Sequence, residues 1–196
     1  MKKIIASCAV LIVIGGIVLS LYKTDTKNFK KNVSYNVEKI DTLKVYTDSW
    51  DIKFKKSNSN KAAISAEGKQ KDKAPVTFQE DGGNLVVVSQ KEQKNGGFLD
   101  GFTFGKQGGT IYINVPDSGI NNIEITNKDG NIQLSEISAE NIVVDNHSGD
   151  EKINNVSAHT GKFSSKDGAL SVENSSFEKL NITSASGDNE MKERWD

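Results

Sequence analysis

Beyond residue 40 the chain alternates apolar and polar residues in short runs. Leu43, Val45 and Thr47 alternate with polar neighbours, then Ile52 with Phe54, Ile64 with Ala66, and Val76 with Phe78. Leu85-Val86-Val87-Val88 is continuously apolar, and Ile111, Ile113 and Val115 alternate up to Pro116. A period of two, carried by β-branched residues and punctuated by Asp, Asn, Ser and Gly, is the pattern of short β-strands. After the N-terminal apolar run no segment carries the 3.6-residue stripe of an amphipathic helix. An all-β domain is expected over residues 40–196.

Its C-terminal half repeats. Gly130, Gly149, Gly168 and Gly187 follow one another at intervals of 19 residues. Three positions before each stands Asn127, Asn146, Ser165 or Ser184. In rows of 19, Ile123 and Ile125 fall above Ile142 and Val144, then Gly161 and Phe163, then Leu180 and Ile182. Leu134 aligns with Ile153, Val172 and Met191; Ile137 with Val156; Ala139 with Ala158 and Phe177. The preceding row fits in part, with Ile113 under Ile132, Val115 under Leu134 and Ile120 under Ala139. A repeat of this length predicts a parallel β-helix-like solenoid with 19-residue coils, regular over 123–191. Each coil is expected to have three short extended faces. The Asn/Ser column is expected to form a polar ladder at a corner, bonding turn backbone, and the glycines to take positive φ there.

The N-terminus carries a second pattern. Lys2 and Lys3 precede an uncharged run over residues 4–22, 19 residues long. That length spans a bilayer as a helix and exceeds the usual signal-peptide core of roughly 7–15 residues. Residues 1–22 are therefore expected to be a signal anchor forming one transmembrane helix. A cleaved signal peptide is the alternative, with Val18-Leu19-Ser20 as its best, non-Ala-x-Ala, site. Residues 23–39 read as a spacer. Lysines flank the run on both sides, so charge leaves its orientation nearly undecided. The two-lysine start still resembles an export signal, and the domain is expected outside the cytoplasm. Ile5-Ala6-Ser7-Cys8 has lipobox-like residues but begins the apolar run instead of following it, so Cys8 reads as apolar filler.

Composition removes several chemistries. The net charge is -1 and Arg194 is the single arginine among 25 basic residues, which gives no sign of a nucleic-acid partner. The lone cysteine, Cys8, and the two histidines, His147 and His159, exclude a disulfide framework and argue against a zinc centre. Asp145, Asp150, Asp167 and Asp188 lie near the turns, but the calcium-binding nonapeptide is absent. Outward columns are mixed: Glu124, Val143, Lys162 and Asn181 in one, Gln133, Lys152, Ser171 and Glu190 in another. No carboxylate pair or nucleophile motif stands out. No catalytic residue, cofactor or metal is assigned, and a non-enzyme is expected. Six glycines and Phe98, Phe102 and Phe104 share residues 91–109. This segment is either a loop whose aromatics cover the sheet or an exposed tip that meets a membrane or a partner.

The opening Leu43-Lys44-Val45 to Asp51-Ile52-Lys53-Phe54, then Ile111-x-Ile113-x-Val115-Pro116, then repeated [Asn/Ser]-x-[Asp/Ser]-Gly turns, resemble a known family. The chain is similar to the bacterial putative-adhesin β-solenoid domain of unknown function, and within it to LiaG-like cell-envelope proteins of Gram-positive stress operons. The resemblance covers roughly residues 40–190 and implies a right-handed β-helix-like domain at the cell surface. It supplies no catalytic residues. The resemblance implies further coils, so the charged residues 190–196 are expected either to blunt the edge of the last coil or to mark a truncated chain with a sticky or frayed end. The expected function is a non-enzymatic, membrane-anchored envelope binding module that meets an envelope protein or the cell wall. A regulatory partner of membrane stress-sensing proteins is the alternative, and a polysaccharide-active enzyme ranks below both.

Overall fold

The computed structural model describes residues 27–36, 40–59, 61–70, 76–81, 84–89, 108–116 and 120–192. The apolar run 4–22 and Phe98, Phe102 and Phe104 lie outside them. Among the described residues the strands are β1 (Lys27–Asn36), β2 (Thr42–Thr47), β3 (Asp51–Ser57), β4 (Lys61–Gln70), β5 (Thr77–Asp81), β6 (Asn84–Ser89), β7 (Gly108–Pro116) and β8 (Ile120–Asp129). They continue as β9 (Ile132–Ser135), β10 (Ser138–Ser148), β11 (Glu151–Asn154), β12 (Ser157–Asp167), β13 (Leu170–Glu173), β14 (Ser176–Ser186) and β15 (Asn189–Lys192). No helix long and apolar enough to cross a membrane occurs among these residues.

Two sheets enclose one apolar core. Sheet 1 runs β1-β4-β7-β3-β9-β11-β13-β15, and sheet 2 runs β14-β12-β10-β8-β2-β6-β5. From β8 onward each 19-residue coil is a long strand in sheet 2, a turn at the glycine and a short strand in sheet 1. The long strands pair in parallel with Ile123 beside Ile142, Ile142 beside Gly161 and Gly161 beside Leu180. The chain is thus an all-β solenoid, and in strands such as β9, β11 and β13 alternate residues are buried as the period of two requires.

Two sheets replace the three expected faces. Ile137 and Val156, the third apolar set, are buried at the corner between one coil and the next. There Glu136, Asn155 and Asn174 take φ of 56°, 53° and 50°. Three left-handed residues, again 19 apart, reverse the chain. Asn adopts this region readily and Glu does not, so the series was hard to see in the sequence. Ala139, Ala158 and Phe177 follow the corner within the long strands. Phe177 is large where its column is small, and Gly161 accommodates it: a Cβ there would meet the Phe177 ring. Phe163 packs edge-on against Phe177 at 5.7 Å between ring centres.

The coil beneath β8–β9 is not the one preceding it in sequence. Thr42–Thr47 pairs directly with β8, placing Leu43 beside Ile123, Val45 beside Ile125 and Thr47 beside Asn127. Ile52 and Phe54 of β3 likewise lie beside Ile132 and Leu134. The offset is 80 residues. The expected placement of Ile113 under Ile132 and Val115 under Leu134 is therefore overturned: β7 lies one coil further away, against β3, with Ile113 beside Phe54. Ile120 does lie beside Ala139. Coil β2–β3 is sandwiched between β6–β7 and β8–β9. After Ser57 the chain leaves the coil path, forms β4, β5, β6 and β7 at the outer end, and returns as β8.

That outer end closes with antiparallel pairs, β1 on β4 and β5 on β6. The stretch expected as a spacer over 23–39 thus contains strand β1. Lys31 bridges the two sheets there, its ammonium 4.8 Å from the centre of the Phe78 ring. At the opposite end β14 and β15 each have one strand neighbour among the described residues. Phe177, Leu180 and Ile182 are only partly buried there, and Met191 is 55% exposed.

Candidate binding surface at the glycine corner

The turn from sheet 2 to sheet 1 is built from stacked backbone. A Cβ on Gly149 would overlap the carbonyl oxygen of Gly130, one on Gly168 that of Gly149, and one on Gly187 that of Gly168. These three glycines have φ of 118°, 147° and 119°. Both steric facts require glycine, and together they produce the interval seen in the sequence. Gly130 lacks the positive φ, but its missing side chain faces the carbonyl of Trp50. Trp50 occupies the corresponding turn of coil β2–β3. Its ring is buried over Gly68 and Gly109, where a Cβ on either would strike the indole.

The polar ladder lies just inside this corner. Asn127 donates from Nδ2 to the Gly130 carbonyl at 2.6 Å, and Asn146 does the same to Gly149 at 3.0 Å. Thr47 extends the ladder into the distant coil by donating to Asn127 Oδ1 at 2.5 Å. Ser184 donates to the Ser186 carbonyl at 3.3 Å. Asn127 and Asn146 are buried, so their bonds to the glycine carbonyls offset the cost of withdrawing polar groups from water, whereas the buried Ser165 hydroxyl has no hydrogen-bond partner.

A second column crosses the coils on the outside of the corner. Asp51 Oδ1 accepts the Asn131 amide at 2.9 Å, Asn131 Oδ1 accepts that of Asp150 at 2.9 Å, and Asp150 Oδ1 accepts that of Ala169 at 3.1 Å. The Asp150 carboxylate is thus committed to the next coil. The column was legible in rows of 19 only from Asn131 and Asp150; its first member arrives from 80 residues away.

Beside this column runs an open groove of about 620 Å³, lined by Asp51, Thr110, Asp129, Asn131 and Ser148 with backbone at Gly108, Gly130 and Gly149. Its donors and acceptors are mostly short side chains and peptide groups. The segment bearing Phe98, Phe102 and Phe104 leaves β6 after Ser89 and rejoins the fold at Gly108, on the groove wall. A smaller depression of about 340 Å³ lies on sheet 2 between Asp48, Thr126, Lys128, Asp145 and His147. Lys128 is engaged there with Asp48 at 3.4 Å. Among the described residues no group of three or more His, Cys, Asp or Glu is placed to hold a metal ion.

The most perturbed carboxyl lies in neither depression. Glu151 is 2% exposed and sits between Ile132 and Leu170 in an interior column. Burial pushes it up to about 7; the neighbouring Asn146 amide opposes the shift, and Asp145 adds to it. Both carboxyl oxygens, and Oδ1 of Asn146, lack a hydrogen-bond partner. Sequence reading passed over Glu151, although a Glu aligned with Ile132 and Leu170 is an acid in an apolar column.

A similar fold is found in a solved bacterial protein of low sequence identity. A putative cell adhesion protein from Clostridium sporogenes superposes with a TM-score of 0.50 at 10% identity, covering 86% of this chain and 100% of that one. A putative adhesin from Bacteroides fragilis aligns with a TM-score of 0.38 at 13% identity, over 86% of this chain and 97% of that one. No curated protein matches the chain. A family model matches residues 40–194 of this β-solenoid, and the chain belongs to the Toastrack DUF4097 family.

Proposed function

We propose that the protein is a non-enzymatic binding module of the bacterial cell envelope, held to the membrane by its N-terminal apolar run and displayed outside the cytoplasm. The observation that carries this reading is the glycine-corner groove: open, lined by residues of several coils, with the phenylalanine-bearing segment rejoining the fold at its wall. An open groove of mixed polar and apolar surface suits an extended ligand or a protein surface better than a small substrate, which sites usually enclose. One of its two carboxylates supports the same reading. Asp51 is bound to the neighbouring coil, and the carboxyl most displaced from its usual range is buried elsewhere. Protease treatment of intact cells tests the display: residues 40–196 are expected to be digested without lysis, and protection until lysis would overturn it.

A regulatory role toward a membrane stress-sensing protein is the second reading, favoured by three phenylalanines in one glycine-rich segment. Crosslinking in membranes is expected to recover a membrane-protein partner. It should be lost when Phe98, Phe102 and Phe104 are all replaced by serine.

A further inference from the structure

The net charge of -1 conceals a strong separation. Residues 1–107 hold 18 Lys and Arg against 11 Asp and Glu, a balance of +7; residues 108–196 hold 7 against 15, a balance of -8. The fold gathers part of the positive charge on one surface. In β3, Ile52 and Phe54 point into the core, so Lys53 and Lys55 point out. In β4, Ile64 and Ala66 point in, which turns Lys61 and Lys69 outward. Lys30 of β1 lies beside Glu67 on the same face. All five lysines are exposed. Tyr112 and Asn114 of β7 lie between the two lysine-bearing strands, beside Lys53 and Lys55.

The acids on this face are already engaged. Glu67 is 3.5 Å from Lys30, and Asp51 accepts the Asn131 amide. Lys53, Lys55, Lys61 and Lys69 make no ion pair among the described residues. Four strands at about 4.8 Å spacing make a lysine face roughly 14 Å across. At the far end of the same sheet Glu173 and Glu190 replace the lysines, and Lys192 is paired with Glu190 at 2.9 Å.

The position of the face matters as much as its charge. The uncharged run ends at residue 22 and β1 begins at Lys27. Five residues reach at most about 18 Å when fully extended. Were the run embedded in a bilayer, the edge of sheet 1 would stand within about two Debye lengths of the headgroups at physiological salt. Lysines at that distance are drawn to anionic lipid.

We propose that the outer face of β1, β4, β7 and β3 docks on an anionic phospholipid surface, laying the first coils against the membrane while the acidic coils lean away. The proposal rests on the anchor reading, and its test separates the two. The full-length protein carrying Cys8→Ser and either Asn114→Cys on the lysine face or Ser164→Cys on sheet 2 is labelled with a fluorophore. It is then reconstituted into vesicles of phosphatidylcholine alone or about three parts phosphatidylcholine to one of phosphatidylglycerol. Flotation at about 0.5 M NaCl, where the Debye length falls to about 4 Å, reads the anchor. Quenching by an aqueous quencher at low salt reads the docking.

The expected result is flotation with both vesicles at high salt. The Asn114 label should be several-fold less quenched on anionic than on neutral vesicles, and the Ser164 label equally quenched on both. High salt should abolish the difference, as should replacing Lys53, Lys55, Lys61 and Lys69 by glutamine in a protein that still floats. Equal quenching at Asn114 on both vesicles overturns the docking and leaves the anchor intact. Flotation with anionic vesicles alone, lost at high salt, overturns the anchor and retains the docking. Flotation with neither at low salt overturns both.

Discussion

The junction between coils β2–β3 and β8–β9 and those between later coils solve one stacking problem by different means. Between later coils the chain returns after 19 residues, and backbone does most of the joining: glycine on carbonyl, strand on strand. Between β2–β3 and β8–β9 the partners are 80 residues apart. Closing the longer loop costs about 1 kcal/mol more in chain entropy. Side chains are correspondingly denser there. Asp41 accepts from Asn121 at 2.7 Å and Asn122 at 3.1 Å, Thr47 bonds Asn127, Asp51 holds the Asn131 amide, and Lys44 meets Glu124 at 3.0 Å. The Asn121 bond, first among these, holds the Asp41 carboxyl below its usual range, while Glu124 raises Lys44. Trp50 completes the contrast, putting a buried indole where the later coils have glycine. Where connectivity does not hold the register, side chains do.

The sharpest way to break this comparison is at the turn. Trp50→Ala should cost about 3–5 kcal/mol in urea unfolding, the range for emptying a large aromatic site. A cost under about 1 kcal/mol would mean that the distant junction does not depend on the indole. Gly149→Ala forces a methyl group onto the Gly130 carbonyl at a φ of 118°. A loss of about 2–3 kcal/mol is expected, and a tolerated alanine would show that the corner relaxes. Serine at the half-buried Asn114, on the outer face of β7, is the control and should change little.

Glu151 offers a test confined to the regular stack. Its folded pKa of about 7 lies above its ordinary 4.5. Between these values the folded protein keeps a proton that the unfolded chain has released. Stability is therefore complete below about pH 4.5 and falls as pH rises through 7. Each unit of displacement corresponds to about 1.4 kcal/mol, so the decline should total roughly 3 kcal/mol. Glu151→Leu, matching Leu170 in its column, should remove that decline and raise stability at pH 8 relative to pH 5. Parallel pH profiles for the two proteins would overturn the assignment.

The smallest effect compares the two junctions directly. Asp51→Ala frees the Asn131 amide at the distant junction, and Asn131→Ala frees that of Asp150 at a local one. Each removes one hydrogen bond worth about 1 kcal/mol. The distant loss should be the larger, and equal losses would show that register does not depend on connectivity.

The regular half was legible because its demands repeat. A glycine under a carbonyl recurs from row to row, and an Asn or Ser stands three positions before each glycine, so rows expose the recurrence. Coil β2–β3 obeys the same demands once, with Thr47 for Asn127 and Trp50 for Gly130, so nothing in its residues announced an 80-residue offset. The row containing Ile113 and Val115 matched in polarity alone. Any alternating strand matches another in that respect, and their true neighbours were Phe54 and Lys56. Of the candidate surface, the ladder residues were readable and the groove was not. Its walls combine Asp51, Thr110 and Asn131 from three distant segments.

The sandwiched coil also governs the order in which the molecule can assemble. Strands β2 and β3 emerge early but gain both flanking neighbours only after residues 84–89, 108–116 and 132–135 have been made. Contacts of such long sequence separation slow folding. Coils β10–β15 add to a finished template through nearby residues and can zip on quickly. Pulse-labelled hydrogen exchange during refolding should find β2 and β8 gaining protection together, with β12 and β14 following at once. Protection of β12 before β2 would reverse that order. A chain built this way has a slow, indivisible base and a fast, extensible stack, so coils can be added or lost at one end without re-solving the other.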